Sequence, residues 1–500
     1  MRETAFSRRA FLRGGATLGV GGLLAGCGAR DDEDGTPTRS PTVPPTERPT
    51  ERPTERTTER PSTETSTRDA LRSEFEHVVD LSEHASLRTG RPIDGVLSEH
   101  AADGTLLLLP PGRYELEDTW SFDDFDRFGI LGSDTTIVPP EGYDGVLFYI
   151  GSRSNASKFA FGDVAFDFTA TSTGARPLFA AVGDDLLVSD VSVRGTQDVN
   201  QDLFRFDVTN PNGTGVVARL SMPDGGDPRW GVTGCEVGDM SRGTIRFLDC
   251  HIAGFPDNGL YANPPEGVVE VVGGRYENND ISNVRVNADP GSFVRGVHVR
   301  CDRAPENFEN MRGIRLRGGD GIVVENCLVE MVDATGSDGG VTVSHDMGRV
   351  AIRDTHIHVD ARRINGVRMK SFAGQESAGR VTLDNVLITG AADEGAAIQV
   401  ADRNGYRFRN LCVLQYGDRR DGLLAQNADG TFEQSTVAVR GRPLQLTRSD
   451  VATTDLRVCR NPRPKGNSTS VCERNCRRLQ GRLDGRLPTD GVGPSDRVDE

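Results

Sequence analysis

The chain has 500 residues, of which 74 are acidic and 58 basic, for a formal net charge of −16. An acid surplus on this scale argues against a general nucleic-acid binder, which needs a basic face. Lysine occurs only at Lys158, Lys370 and Lys465, so any cationic site must be built almost wholly from arginine.

Residues 1–27 read as an export signal. Ser7-Arg8-Arg9-Ala10-Phe11-Leu12-Arg13 is similar to twin-arginine signals, and the apolar run from Gly14 to Leu24 is too short to span a bilayer. Leu24-Ala25-Gly26-Cys27 resembles a lipobox, which makes Cys27 the expected lipidation site. The acidic, lysine-poor, arginine-rich composition resembles that of proteins from salt-adapted archaea. An extracellular chain, held to the membrane through lipid alone, is the expectation. Residues 28–68 carry Thr-Glu-Arg-Pro repeats with almost nothing apolar and are expected to form a disordered, proline-stiffened tether.

From 69 to 458 the sequence reads as one solenoid. An amphipathic stretch from about Leu71 to Leu81 is expected to be a short N-terminal helix capping the open coil. The run Gly104 to Tyr114, with Pro110-Pro111-Gly112, follows as a first rung. Rungs between 125 and 245 are irregular, with an expected insertion around Asn210 to Trp230. Beyond Gly243, Val284–Asn287, Ile314–Arg317, Val341–Ser344, Val367–Lys370, Ile398–Ala401 and Leu423–Gln426 recur at 25 to 31 residues, a period that signals stacked β-coils. Alternation turns Val284/Val286, Ile314/Leu316 and their equivalents inward and the residues between them outward. Arg285, Arg315, Arg368 and Gln399 should then line one column, and Asn287, Arg317, Ser344 and Lys370 the next. Asp249, Asn326, Asp354, Asn385 and Asn410 fall at a rung corner, where they suit tight turns rather than metal binding. Cys250, Cys327 and Cys412 are expected as buried apolar groups. Residues 459–500 read as a disordered polar tail whose Cys459, Cys472 and Cys476 allow one disulfide with one cysteine over.

The first-rung segment resembles that of the pectate lyase superfamily. Asn365-Gly366-Val367-Arg368-Met369-Lys370 is similar to the segment with which polygalacturonase-type glycoside hydrolases grip a uronate carboxylate. The resemblance implies an all-β, right-handed, single-stranded parallel β-helix, with Arg285, Arg315, Arg317, Arg368, Lys370 and Gln399 as substrate-binding residues. Two cations two residues apart on a strand share one face, and guanidinium matches carboxylate bidentately. The family's paired catalytic aspartates would fall near Met311-Arg312, neither acidic, and its Gly-His-Gly on Asp338-Gly339-Gly340. Asp338, Asp346, His345 and Arg315 are the remaining catalytic candidates; Asp320 is a further acid near this face. A lyase of this architecture would use an arginine or lysine base with cations or Ca²⁺, but no acidic cluster to hold calcium stands out. Asp123-Asp124 and Asp184-Asp185 read as surface charge. The expected partner is an acidic polysaccharide, engaged by a monomer. Hydrolysis, elimination and non-catalytic adhesion all stay open at this level.

Overall fold

The computed structural model describes residues 70–84, 87–151, 155–372, 375–377, 379–462 and 470–488. The signal, Cys27 and the tether lie outside the described residues. Strands as short as most of these cannot bury an apolar face alone, so successive rungs pile up. Thirteen strands, from Trp120–Phe122 to Leu444–Thr447, form one sheet, and 27 strands form the other. The ladders are parallel, with Ile314 opposite Val341 and Val341 opposite Val367. The protein is an all-β parallel β-helix.

All six repeated stretches lie in the thirteen-stranded sheet. Val284, Val286, Ile314, Leu316, Val341, Val343, Val367, Met369, Ile398 and Val400 are each 0% exposed, as the alternation requires. A fully buried aliphatic side chain of this kind contributes about 1.5–3 kcal/mol. The early rungs are equally regular in hydrogen bonding. Their core is aromatic instead, with Phe128, Phe148, Phe161, Phe166, Phe204 and Phe206 fully buried. Part of the expected insertion is itself a rung, since Thr214–Ala218 pairs with Thr244–Leu248.

The corner residues behave as the sequence suggests. Asp249, Asn326, Asp354, Asn385 and Asn410 all have φ between 48° and 56°, a left-handed conformation that Asn and Asp tolerate. Gly273 and Gly296 occupy the same column between Asp249 and Asn326, with φ of 63° and 64°. The carboxylates and amides here set the turn of the coil.

Both ends differ from expectation. Within 71–81, His77–Asp80 is a strand paired with Thr105–Leu108, because Val78-Val79 prolongs the ladder and Asp80 then caps a 3-10 turn by accepting from the Ser82 N–H at 2.9 Å. Residues 70–72 are helical, at the start of the expected stretch, and a further helix, Asp94–His100, buries Val96 and Leu97. At the other end the tail is ordered over residues 470–488. A helix, Val471–Leu483, begins in a capping box between Ser470 and Glu473 and lays Cys476, Leu479 and Leu483 against Leu387, Leu414 and Ala438. Cys412–Cys476 and Cys459–Cys472 are disulfides, so Cys412 is the missing fourth cysteine rather than a core thiol. It follows its corner Asn by two residues where Cys250 and Cys327 follow theirs by one, and a one-residue slip reverses the face. Cys250 and Cys327 are buried thiols, their pKa values pushed up to about 12 by that burial.

Candidate functional site

The outward column of the thirteen-stranded sheet is continuous. Arg285 lies opposite Arg315, Arg315 opposite Thr342, Thr342 opposite Arg368, and Arg368 opposite Gln399. The four predicted residues therefore share one line, with Thr342 between Arg315 and Arg368. Neighbouring strands in such a sheet are about 4.8 Å apart. The same line runs back through Tyr261, Glu236 and Arg205 to Phe179 and Tyr149, whose rings stack face to face at 4.5 Å. The phenylalanines on either side of Arg205 hide that position from the periodicity. The second predicted line breaks: a bulge between Val286 and Asn287 sets Asn287 opposite Gly318 rather than Arg317, and Asn287 bonds Asn263 instead.

Asp338 is the hub of the cluster. Its carboxylate accepts from Arg312 Nε at 2.7 Å, Arg368 Nη1 at 2.7 Å and Lys370 Nζ at 2.6 Å. Its side chain is 10% exposed, whereas those of Arg368 and Lys370 are 33% and 32% exposed. Burial alone would raise the Asp338 pKa, but Arg312, Lys370 and Arg368 outweigh it and hold the carboxyl well below the usual range. Burial likewise lowers the Lys370 pKa, against the pull of Asp338. Arg312, where the resemblance would set one of the paired aspartates, thus bonds Asp338, the neighbour of the glycine that stands at the histidine position. As a candidate acid Asp338 is corrected: a carboxyl held ionised by three cations has no proton to donate. It positions Arg368 and Lys370.

Arg315 has the opposite environment. No carboxylate bonds it among the described residues, and its pKa is pushed down to about 9, first by burial and then by Arg312, Arg285 and Arg317. The lowering expresses the cost of holding a cation among cations, which an arriving anion would relieve. Arg285 sits over the Tyr261 ring at 4.1 Å. Arg317 pairs with Asp346, so that acid candidate is committed to an ion pair at the surface. His345 stacks on the exposed Phe372 at 4.8 Å, giving the rim a flat apolar platform.

The turn that carries His345 and Asp346 is clamped from beneath. Arg403, fully buried, donates to the carbonyls of Ser344, Met347 and Gly379 at 2.7–3.0 Å, and burial lowers its pKa to about 10. Nothing in the sequence marked Arg403, because it lies in a turn outside the strand alternation. A glycine column edges the site. A Cβ on Gly313 would come within 2.3 Å of the Gly340 carbonyl, so only glycine lets the backbone turn this close beside Arg312. Asn365 Nδ2 ties the assembly together, donating to the Asp338 carbonyl at 3.1 Å and to Gln399 Oε1 at 3.2 Å.

Among the described residues no three carboxylates converge near the stripe to hold calcium. Asp184 is engaged by Ser157 and Asn210, and Asp320 by Arg349. The arrangement offers a row of guanidinium and ammonium donors, one underpaired arginine and aromatic surfaces.

No family model and no curated protein matches this chain. Solved structures similar to it include the A-modules of the mannuronan C-5 epimerases AlgE6 and AlgE4 of Azotobacter vinelandii. The first is 13% identical with TM-score 0.43, covering 77% of this chain and 100% of that one. The second is 14% identical with TM-score 0.41, covering 79% and 100%. The DFA-IIIase of Arthrobacter chlorophenolicus A6 without its lid, in complex with GF2, is 12% identical with TM-score 0.35, covering 77% and 99%. The reading of the site rests on its own geometry.

Proposed function

We propose that this β-helix engages a carboxylate-bearing polysaccharide laid along the outward column, with successive uronate groups meeting Arg285, Arg315 and the Arg368–Lys370 pair. The observation that carries this reading is Arg315, half-buried in the outward column beside Arg285 and, among the described residues, bonded to no carboxylate. An extended polyanion fits the spacing, since Arg285 and Arg315 stand on adjacent rungs and Arg368 follows one rung beyond Thr342. Phe372 and His345 offer a surface on which a sugar ring can stack. Retention on an immobilised polyuronate, compared with the same polymer after reduction of its carboxyl groups, is the test. The wild-type chain should be held by the first polymer only, and Arg368→Ala/Lys370→Ala should elute at least about tenfold more easily. Equal retention on both polymers would sink the acidic-glycan reading.

A second reading, elimination, is favoured by the lowered pKa of Arg315. The neutral guanidine would take the proton α to the uronate carboxyl, the cations would hold the charge passed to that carboxyl, and the C4–O bond would break as the ring double bond forms, the departing oxygen taking its proton from water. Ultraviolet-absorbing unsaturated ends are its signature, and their absence on every acidic glycan tried would leave adhesion. Hydrolysis is disfavoured because Arg312, Lys370 and Arg368 hold the Asp338 carboxyl well below the usual range, which leaves it without a proton to donate near neutral pH. We further propose that the chain reaches the cell surface through the twin-arginine route and is anchored through Cys27. Cys27→Ser should move it from the detergent phase of cell extracts to the culture medium; an unchanged distribution would remove the anchor.

A further inference from the structure

The N-terminal cap carries a second cluster, unrelated to the stripe. His84 closes the 3-10 turn Leu81–Glu83, its backbone N–H donating to the Leu81 carbonyl at 3.1 Å. Glu99 and His100 end the helix Asp94–His100. His84 Nε2 lies 3.2 Å from Glu99 Oε2, and the two imidazole rings stand 4.9 Å apart at 85°. One ligand-type atom from each of the three residues falls within 4.8 Å of the others. His100 Nε2 is buried and, among the described residues, has no hydrogen-bond partner. A buried ring nitrogen left unmet is costly, and such groups call for a specific explanation, an ion among them.

We propose that His84, Glu99 and His100 bind a borderline divalent transition-metal cation, with zinc the best match. Two imidazoles and one carboxylate suit zinc, whereas calcium and magnesium take all-oxygen sets. Ligand atoms around tetrahedral zinc sit about 3.4 Å apart. The His84–Glu99 pair already meets that spacing, and a small ring rotation would bring in His100. Glu99 is 64% exposed, so the fourth position faces solvent and takes water. The ion would tie the 3-10 turn to the helix, the two elements whose Leu81, Val96 and Leu97 cover the first rung. It is a clasp at the mouth of the coil.

The test uses the full chain stripped with a chelator, then titrated with Zn²⁺ by calorimetry and with Co²⁺ by visible absorption. A single saturable ion, an unfolding midpoint that rises with Zn²⁺ and an intense tetrahedral Co²⁺ band are expected. His84→Ala and His100→Ala should each weaken binding by more than about a hundredfold, above the range typical for residues that only support a ligand. Glu99→Gln alters an exposed side chain and leaves the fold intact; it too should weaken binding and shift the Co²⁺ band. His358→Ala, which alters a histidine paired with Asp360 elsewhere on the coil, should change nothing. Absence of saturable binding, a Co²⁺ band that survives all three cap substitutions, or loss on His358→Ala alone would each overturn the proposal.

Discussion

Replacing Asp338 with asparagine is expected to destabilise the protein by about 3 kcal/mol and, at the same time, to tighten its hold on an acidic polymer. The loss follows from geometry. Arg312 is nearly buried beside Asp338, and removing the charge leaves that guanidinium uncompensated in a low-dielectric site. Arg368 and Lys370 keep partial access to water, which places the cost at the lower end for a broken buried pair. The gain follows from the same contacts, because the two exposed cations no longer spend their donors on an internal carboxylate. The pH dependence has a definite sign. Asp338 has its folded pKa depressed below the unfolded value of about 3.9, so its contribution is fully present above that value and is lost as pH falls toward the folded pKa. Urea midpoints of the wild type and the variant should therefore lie apart above about pH 4 and converge below it. A variant that binds polyuronate less well than wild type would show that the hold of Asp338 on Arg368 and Lys370 serves binding, and would refute the view that it competes with the polymer for their donors.

What could be read from the sequence divides along a physical line. Residues inside the strands were legible, because Val284, Ile314, Val341, Val367 and Ile398 must all point inward and so fix the register of Arg285, Arg315 and Arg368. Residues in turns were not. Arg312 and Asp338 precede their strands, where no period constrains a side chain, and their pairing spans 26 positions. Arg403 reaches Ser344 across 59 positions from a turn of its own. The bulge after Val286 is a single-residue event that shifts Arg317 out of the line it was expected to join. Cys412 shows the same sensitivity, since one residue of slip converts a core thiol into a bridge to Cys476. In the early rungs, phenylalanines fill the interior, and bulky rings blur the aliphatic alternation while leaving the ladder intact. The upstream Arg205, flanked by Phe204 and Phe206, was hidden for that reason.

Arg315→Met should do the reverse of Asp338→Asn: raise stability by about 1–3 kcal/mol and lower polyuronate affinity by more than about tenfold. Methionine has nearly the reach of arginine and no charge, so it can fill the slot without the repulsion from Arg312, Arg285 and Arg317. A cation kept in such a place at a cost to the fold is the kind of strain that function retains. The binding loss reflects removal of the stripe's underpaired guanidinium, whose bonds to a carboxylate would be worth about 1.5–3 kcal/mol. Arg315→Lys separates charge from shape. It keeps the cation but not the planar fork, so binding should fall between wild type and the methionine variant, with a steeper loss in salt. If Arg315→Met instead weakens the fold, Arg315 is already satisfied by its surroundings. The column would then be a structural arginine ladder rather than a docking strip, whatever Arg368 and Lys370 do. Opposite signs in the two variants, stability against binding, would tie both to one cause: the stripe holds more positive charge than its own carboxylates neutralise.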